Sequence, residues 1–163
     1  MIAFRAALDR KRAGTLGLTL IELVVTMAVL SILAAMVLPI AKVSLKREKE
    51  FELRRVLRRM REAIDEYKKY ADNGLIMKKG IRSMGYPENL DVLVEGVPQV
   101  GAIDKKLRFL RRIPIDPMTG QAVWGLRSIQ DEPDSTSWGG ENVFDVYSLS
   151  PGTALDGTLY SDW

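Results

Sequence analysis

The sequence predicts an α+β protein, in which one long N-terminal α-helix packs on a small C-terminal domain of short helices and a small antiparallel β-sheet. Three observations predict this class: a long apolar run, a helical stripe of apolar residues after it, and short apolar segments between glycine and proline turns beyond residue 74. The predicted divisions are a leader at 1–17, a membrane-spanning helix at 18–41, an amphipathic stem at 42–73 and a globular domain at 74–163.

The leader and the apolar run predict a membrane anchor. Residues 1–17 contain four basic side chains and one acid, and residues 18–41 contain 19 apolar residues in 24 positions. At about 1.5 Å per helical residue the run covers roughly 36 Å, which exceeds the ~30 Å hydrocarbon core of a bilayer. The alternative is a cleaved secretory signal. This alternative is disfavoured because the apolar region of a typical secretory signal is shorter than this run and ends at a small-residue cleavage site, and no clean site of that kind ends the run here.

Glu22 is the one acid within this apolar run. An ionised side chain deep in lipid costs at least ~2.5 kcal/mol, and less near the interface. A carboxylate at this position therefore indicates a partner. Pro39 is the one expected kink, because proline removes a backbone donor and crowds the preceding turn.

The stem is predicted to continue the same helix. Apolar residues recur every three or four positions between Leu53 and Ala71, and most other positions are charged. No glycine or proline interrupts residues 42–72, so the two parts together predict one helix of about 54 residues. Asn73-Gly74 is the expected stop, since both residues tolerate a left-handed backbone.

The globular domain is predicted from short signals. A short helix is expected to start at Tyr86-Pro87, with Leu90, Leu93 and Val94 facing inward. Further along, the sequence predicts a short basic segment at 105–112, a turn-rich connector at 113–120 and two strands at 123–128 and 142–148.

Composition argues against an enzyme. The chain contains no cysteine and no histidine. This excludes disulfides and thiolate metal sites, and it removes the commonest general base and metal ligand. Serine and threonine therefore lack a histidine partner, and no glycine-rich phosphate loop is present. No cofactor is expected from these features.

Four arginines of the stem form two basic pairs at helical spacing: Arg54, Arg55, Arg58 and Arg59. Such a stripe can follow a phosphate backbone. A solvated helix face is the favoured interpretation, and nucleic acid is not expected as a partner. A third interpretation places the basic stem of one subunit against the acidic residues 128–163 of another, which contain seven acids and no base.

Two further sets of residues have competing interpretations. The acids of the 131–134 segment, Asp131, Glu132 and Asp134, are predicted as solvated loop acids rather than a metal cluster. The three tryptophans are predicted to pack in the core or at its rim rather than to stack on a ligand. The polar C-terminal tail, residues 151–163, ends in the aromatic residues Tyr160 and Trp163, which predicts that the tail packs on the rest of the globular domain.

One motif resembles a known family. Gly17-Leu18-Thr19-Leu20-Ile21-Glu22-Leu23 resembles the processing site of type IV pilin-like proteins, and the likeness continues to residue 41 and includes Pro39. Downstream segments resemble the globular part of type II secretion pseudopilins, most of all the major, G-type group. These segments are Tyr86-Pro87, Ile113-Pro114-Ile115-Asp116-Pro117, Trp124-Gly125 and Val146-Tyr147-Ser148-Leu149-Ser150.

The resemblance implies a processing and assembly site. A prepilin peptidase is expected to cut after Gly17, and Leu18 is then expected to be N-methylated, where most family members have phenylalanine. Glu22 is expected to accept the charged amine of Leu18 from a neighbouring subunit. Pairing offsets part of the cost of burying each charge in an apolar filament core.

The function implied by the resemblance is structural. The chain is expected to be a single-pass inner-membrane protein with a periplasmic C-terminal domain, forming a homo-oligomeric pseudopilus that drives protein export across the outer membrane. Its implied partners are minor pseudopilins, an inner-membrane assembly platform and an ATPase. The alternatives are a type IV pilus or DNA-uptake subunit and a non-polymerising anchored binding domain. The Lys/Arg count, four before the anchor and eight in residues 42–59, alone favours a cytoplasmic domain.

The resemblance also raises calcium as a ligand. G-type pseudopilins often bind calcium in the loop after the last strand pair, which corresponds here to residues 149–156. An early acid of that loop is replaced by proline or glycine, and Asp156 and Asp162 remain as candidate ligands. Calcium prefers six to eight oxygens, so a loop held by turns and by packing of Trp163 is the favoured alternative.

Overall fold

The computed structural model describes residues 17, 19–102 and 105–163. In chain order its elements are α1 (Leu20–Asp72), α2 (Asp91–Glu95), β1 (Val97–Pro98), β2 (Lys106–Leu107), β3 (Gly125–Arg127), β4 (Asp145–Tyr147) and a 3-10 turn, η1 (Tyr160–Asp162). The chain divides into two compact units, one up to Lys42 and one from Val43 onwards. A long helix with short helices and two small antiparallel sheets confirms the predicted α+β class.

The first unit contains the apolar part of α1. Thr19 caps the helix, because its Oγ1 accepts a hydrogen bond from the backbone N–H of Glu22 at 3.3 Å. The hydroxyls of Thr26 and Ser31 donate to backbone carbonyls of the preceding turn. These two hydroxyls are therefore satisfied within the helix itself. Pro39 lies inside α1, and the helix continues past it.

The second unit begins with the stem, whose predicted apolar stripe is buried along its whole length. Its members are Leu53, Val56, Leu57, Met60, Ile64, Tyr67 and Ala71. Burying a large apolar side chain contributes about 1.5–3 kcal/mol. This stripe is therefore the main contact through which the stem holds the globular domain.

The stem ends where the sequence predicts, and the backbone shows why. The N–H of Gly74 donates to the carbonyl of Ala71 at 3.2 Å, and the N–H of Leu75 donates to the carbonyl of Tyr70 at 3.0 Å. Gly74 has φ +70°, which favours glycine. This pair of bonds is the Schellman motif, which satisfies carbonyls that the helix end leaves open.

The β-structure differs from the prediction in extent. Strands β3 and β4 pair antiparallel with Leu126 opposite Val146, inside the two predicted strands but shorter than both. Strands β1 and β2 form a second antiparallel pair, with Val97 opposite Leu107, which the sequence did not predict. Two residues per strand are too few to show an alternating pattern, and the basic residues around Leu107 hide it further.

A glycine controls the packing of the larger sheet. A Cβ at Gly125 would overlap the ring of Tyr147, which is opposite it in the β3–β4 register. The Tyr147 ring is buried, and the guanidinium of Arg127 lies 4.2 Å from its centre. The sheet therefore needs a residue without a side chain at this position.

The connector at 113–120 is held by a buried acid. Asp116 is completely buried; its Oδ1 accepts from the N–H of Met118 at 2.7 Å, and its Oδ2 accepts from the hydroxyl of Ser148 at 2.6 Å. The first bond closes the turn within the connector, and the second joins the connector to the chain just after β4. The predicted turn therefore holds two segments of the domain together. The burial of Asp116 is not evident from the sequence.

The short helix begins later than predicted, whereas its inward side chains and the tail agree with the prediction. The helix α2 starts at Asp91 rather than at Tyr86-Pro87, Leu90 and Leu93 are buried, and Val94 is half-buried. Tyr160 in η1 is buried, and its ring meets the ring of Trp163 edge to face with 5.3 Å between centres. The tail therefore packs on the body of the second unit.

Candidate functional site

The first candidate site is the start of α1. Gly17, the predicted cleavage position, is exposed. Leu18, the predicted methylation position, lies outside the described residues, as do residues 1–16 of the predicted leader. Cleavage and methylation at this site stay predictions.

Glu22 lies in the first turn of α1 and is exposed. Its backbone N–H is bonded to Thr19, but within the described residues its carboxylate accepts no hydrogen bond and joins no salt bridge. The neighbouring polar side chains Thr26 and Ser31 differ, because their hydroxyls bond to the backbone of their own helix. The role of Glu22 in assembly stays a prediction.

An apolar surface surrounds Glu22. The large apolar side chains exposed on this part of α1 are Leu20, Ile21, Leu23, Val24, Val25, Met27, Val29, Leu30, Ile32 and Leu33. A helix that is apolar on all sides is buried in a membrane or among other helices. Among the described residues, α1 is the one helix that is long and apolar enough to cross a membrane.

The second candidate site joins the stem to the C-terminal tail and is called here the stem–tail clamp, consisting of Glu50, Arg54, Arg61, Asp145, Asp156, Tyr160 and Trp163. At its N-terminal end, the Oε1 of Glu50 accepts from the N–H of Leu155 at 2.9 Å and from the hydroxyl of Tyr160 at 3.0 Å. Glu50 is only 9% exposed. Burial, together with the Glu50 carboxylate, raises the pKa of Tyr160 to about 12.

The other end of the clamp is organised by Arg61. Its Nε donates to the carboxylate of Asp145 at 2.6 Å, and its terminal nitrogen donates to the backbone oxygens of Val146 and Trp163. One guanidinium therefore holds β4 and the last residue against the stem. Charge-assisted bonds of this fork geometry are stronger than neutral ones. Sequence periodicity could not reveal this role, because Arg61 resembles the other charged residues of the stem.

Arg54 contacts the middle of the tail. Its guanidinium pairs with Oδ2 of Asp156 at 3.3 Å and lies 4.1 Å from the centre of the Trp163 ring. Hydrogen bonds from Thr158, with the charge of Arg54, hold the pKa of the Asp156 carboxyl below its usual value. Both members of the ion pair are about half exposed, so solvent screens the pair and it contributes little to stability.

These contacts bear on the predicted calcium ligands. Asp156 is turned towards Thr158 and the cationic Arg54, and Asp162 accepts from the hydroxyl of Ser161. Within the described residues no three acidic side chains come together as a metal site. Calcium prefers six to eight oxygens, of which these two carboxylates would supply only a part. Calcium binding stays a prediction, and calorimetric titration of calcium into the chain would test it.

The structure divides the predicted basic stripe. Arg54 belongs to the stem–tail clamp, and Arg55 pairs with Glu52 at 3.0 Å on the same helix. Arg58 and Arg59 are exposed but line two different grooves. The four arginines therefore do not form one continuous track for a phosphate backbone.

The acidic loop and the tryptophans occupy separate places. The Oδ2 of Asp131 accepts from the N–H groups of Ser128 and Gly139, and these bonds lower the pKa of its carboxyl. Trp124 is buried, whereas Trp138 is 40% exposed. The three tryptophans thus make local packing contacts at different points of the second unit.

Comparison with known proteins gives one match. The prokaryotic N-terminal methylation motif matches residues 12–38. No curated protein and no solved structure matches the chain. The matched segment contains Gly17, Leu18 and Glu22, and it supports a type IV pilin-like protein. The motif implies processing by a prepilin peptidase and filament assembly in the membrane, and it indicates a structural subunit anchored by a single helix.

Proposed function

We propose that this chain is a structural subunit of a type II secretion pseudopilus, held in the bacterial inner membrane with its second unit in the periplasm. The observation that carries the proposal is Glu22, a carboxylate without a partner in the described chain, placed on an exposed apolar helix inside a methylation motif. The downstream resemblance to G-type pseudopilins is the reason that we propose secretion within the pilin-like class.

The proposed mechanism uses binding and involves no chemical step at the subunit. After cleavage behind Gly17, the apolar part of α1 leaves the bilayer and packs against the same segment of other subunits. Since lipid and helix surfaces are equally apolar, the exchange is driven by close packing and by polar contacts rather than by the hydrophobic effect. The amine of Leu18 in one subunit and Glu22 in its neighbour supply such a contact.

The paired charges also favour one register. An ammonium and a carboxylate are each costly in an apolar core, and together they offset part of that cost. A shifted register leaves both charges unpaired, so the assembly is penalised for every wrong axial position. An inner-membrane platform and an ATPase supply the work, and the growing filament moves substrates towards the outer membrane.

The matched motif is equally compatible with a type IV pilus or DNA-uptake subunit. These systems share the processing and assembly steps and differ in what the filament does. Deletion of the gene separates them. Loss of secreted proteins with normal piliation and DNA uptake supports the secretion role, whereas loss of pili or DNA uptake with normal secretion contradicts it.

Mass spectrometry of the protein isolated from its own membranes tests the processing step. The expected species begins at Leu18 and carries one added methyl group on its amine. An intact Met1, or a chain that begins after residue 41, would contradict the proposal. A Gly17→Glu variant serves as the control, since a bulky charged residue at the cleavage position should leave the leader attached.

Glu22→Leu tests the assembly step. The variant should insert, be cleaved and keep its fold, but form no filaments. Ser31→Leu is the matched control, because it also replaces an exposed polar side chain of the same apolar helix, one whose hydroxyl is satisfied internally. Filaments formed by Glu22→Leu as readily as by Ser31→Leu would reject the assembly role. A wild-type chain that never forms filaments, and whose function survives Glu22→Leu, would favour a non-polymerising anchored domain.

A further inference from the structure

A basic groove lies beside the stem in the second unit. It has a volume of about 790 Å³ and lies between one face of the stem and the segment that follows β2. Its lining includes Glu52, Val56, Arg59, Arg111, Arg112 and Ile115. The groove is separate from the stem–tail clamp and from the apolar part of α1.

The positive charge of this groove is not compensated within the described chain. Arg59, Arg111 and Arg112 are exposed, and no ion pair with a described residue involves any of them. Glu52 is the single acid in the lining, and it already pairs with Arg55 at 3.0 Å. Three cationic side chains therefore converge on one concave surface.

The groove also has an apolar component. Of its lining residues, Val56 is buried and Ile115 is 59% exposed. A surface with several arginines and an exposed apolar residue is typical of a protein interface, since arginine and apolar anchors are enriched in the centres of interfaces. The exposed arginines and the exposed apolar side chain of the groove favour a ligand that combines negative charge with an apolar side chain.

The chain itself contains a surface of that chemistry. Residues 128–163 carry seven acids and no base. Contacts inside the chain engage five of these acids, namely Asp131, Glu141, Asp145, Asp156 and Asp162. Glu132 and Asp134 remain exposed in one loop, at 131–140, together with Trp138.

This acidic loop is organised before any partner arrives. Asp131 accepts two backbone N–H bonds that close the loop, at 2.7 Å from Ser128 and 3.1 Å from Gly139. The indole N–H of Trp138 donates to the backbone oxygen of Asn142 at 2.8 Å, which sets the orientation of the exposed ring. A pre-organised loop loses little conformational entropy on binding.

We propose that the basic groove of one subunit binds the 131–140 loop of a second copy of this chain. The inference rests on the proposed function, because it names one of the contacts between subunits of the filament. The two surfaces are different parts of the same chain, so the contact is head-to-tail. A head-to-tail contact can add subunits without limit unless its rotation closes a ring. A filament requires such an open, repeating contact.

Cross-linking of the full-length protein in its own cells tests the contact directly. The chain has no cysteine, so Ile115→Cys in one tagged copy and Thr136→Cys in another provide a unique pair for a short bismaleimide. We expect a cross-linked dimer that contains both tags. The matched control pairs Thr136→Cys with Ile81→Cys, which is 98% exposed and lies outside the groove. A control yield equal to or above that of the Ile115→Cys pair overturns the proposal.

Charge reversal tests the chemistry. Arg111→Glu with Arg112→Glu should lower the yield of filaments and of the cross-link by about tenfold or more, and Glu132→Arg with Asp134→Arg should do the same. Combining both reversals should restore the yield. Lys105→Glu with Lys106→Glu is the control, because it changes the net charge equally just outside the lining. An unchanged yield in the first variant, or no restoration in the combined one, overturns the proposal.

The outcomes separate this contact from the proposed function. Filaments that form normally without the cross-link and without any effect of charge reversal reject the contact and leave the function standing. A cross-link in cells that never form filaments supports the contact and rejects the pseudopilus. Loss of DNA binding in Arg111→Glu/Arg112→Glu, with unchanged assembly, would assign the groove to nucleic acid and overturn the proposal.

Discussion

Two glutamates of α1 show how differently the two parts of one helix are used. Glu22 lies on an exposed apolar surface, and its carboxylate has no partner among the described residues. Glu50 is 9% exposed and accepts hydrogen bonds from the N–H of Leu155 and the hydroxyl of Tyr160. The first carboxylate is unpaired among the described residues, whereas the second accepts two hydrogen bonds from its own chain.

The same contrast holds for the apolar side chains. In the described part of the first unit the large apolar side chains are exposed, whereas in the stem the stripe from Leu53 to Ala71 is buried against the globular domain. Exposed apolar surface of this size marks an interaction with a membrane or another protein. The stem therefore stabilises the fold, while the apolar part of α1 is available for insertion and assembly.

Matched methionine substitutions should show the largest difference between these parts. Met60 is completely buried and Met27 is 61% exposed. Met60→Ala should lower the free energy of unfolding of the second unit by about 2–5 kcal/mol, because it removes buried methylenes and leaves a cavity. Urea unfolding in detergent, followed by tryptophan fluorescence, measures this, since all three tryptophans lie beyond Val43. Met27→Ala should leave the transition unchanged, and an equal effect would contradict the contrast.

Matched glutamate substitutions should give the next largest effect. Glu50→Leu leaves the N–H of Leu155 and the hydroxyl of Tyr160 without an acceptor, which should cost about 1–3 kcal/mol for each group that stays buried. Glu22→Leu should not change the unfolding transition of the second unit. Thermal unfolding of both variants tests the pair, with Glu50→Gln as a control that keeps an acceptor oxygen. Equal stability of Glu50→Leu and wild type would show that the clamp is not needed for the fold.

Tyr160 should make the second unit sensitive to alkaline pH. Its pKa is about 12 in the folded chain against an ordinary value of 10.0. The unfolded state then releases its proton first, so this contribution to stability is complete below pH 10 and is lost as the pH rises from 10 towards 12. Tyr160→Phe should lack this part of the alkaline loss. Melting temperatures of wild type and variant across that window measure the difference, and parallel curves would argue against it.

Arg54→Ala should have the smallest effect. The exposed ion pair with Asp156 contributes little because solvent screens it, and the contact with the Trp163 ring adds about 0.5–1 kcal/mol. Asp156→Ala tests the ion pair without the ring contact and should cost less than Arg54→Ala. High salt should weaken the ion pair, because surface charges are screened. A loss above that of Met60→Ala would contradict this ranking.

Periodicity predicts the stem, its end and its buried face well, because a long helix repeats its signal many times. The strand pair β3–β4 is predicted in place but not in length, and the β1–β2 pair is missed, because two-residue strands carry no periodic signal. At the candidate site, a local motif predicts the roles of Gly17, Leu18 and Glu22, and residues 12–38 match the methylation motif. Sequence reasoning misses Arg61 and the buried Asp116, whose partners are distant in the chain.

The sequence by itself determined the apolar anchor, the lone carboxylate within it, the helical stripe of the stem and the absence of cysteine and histidine. All of these are local patterns or simple counts. Only the tertiary structure decided which charges are engaged. In the folded chain Glu50 accepts a hydrogen bond from Tyr160, and Arg54 and Arg61 form salt bridges with Asp156 and Asp145. Four other charged residues stay exposed: Arg111, Arg112, Glu132 and Asp134. Charged residues look alike along a chain, and their roles depend on the distances and burial that folding creates.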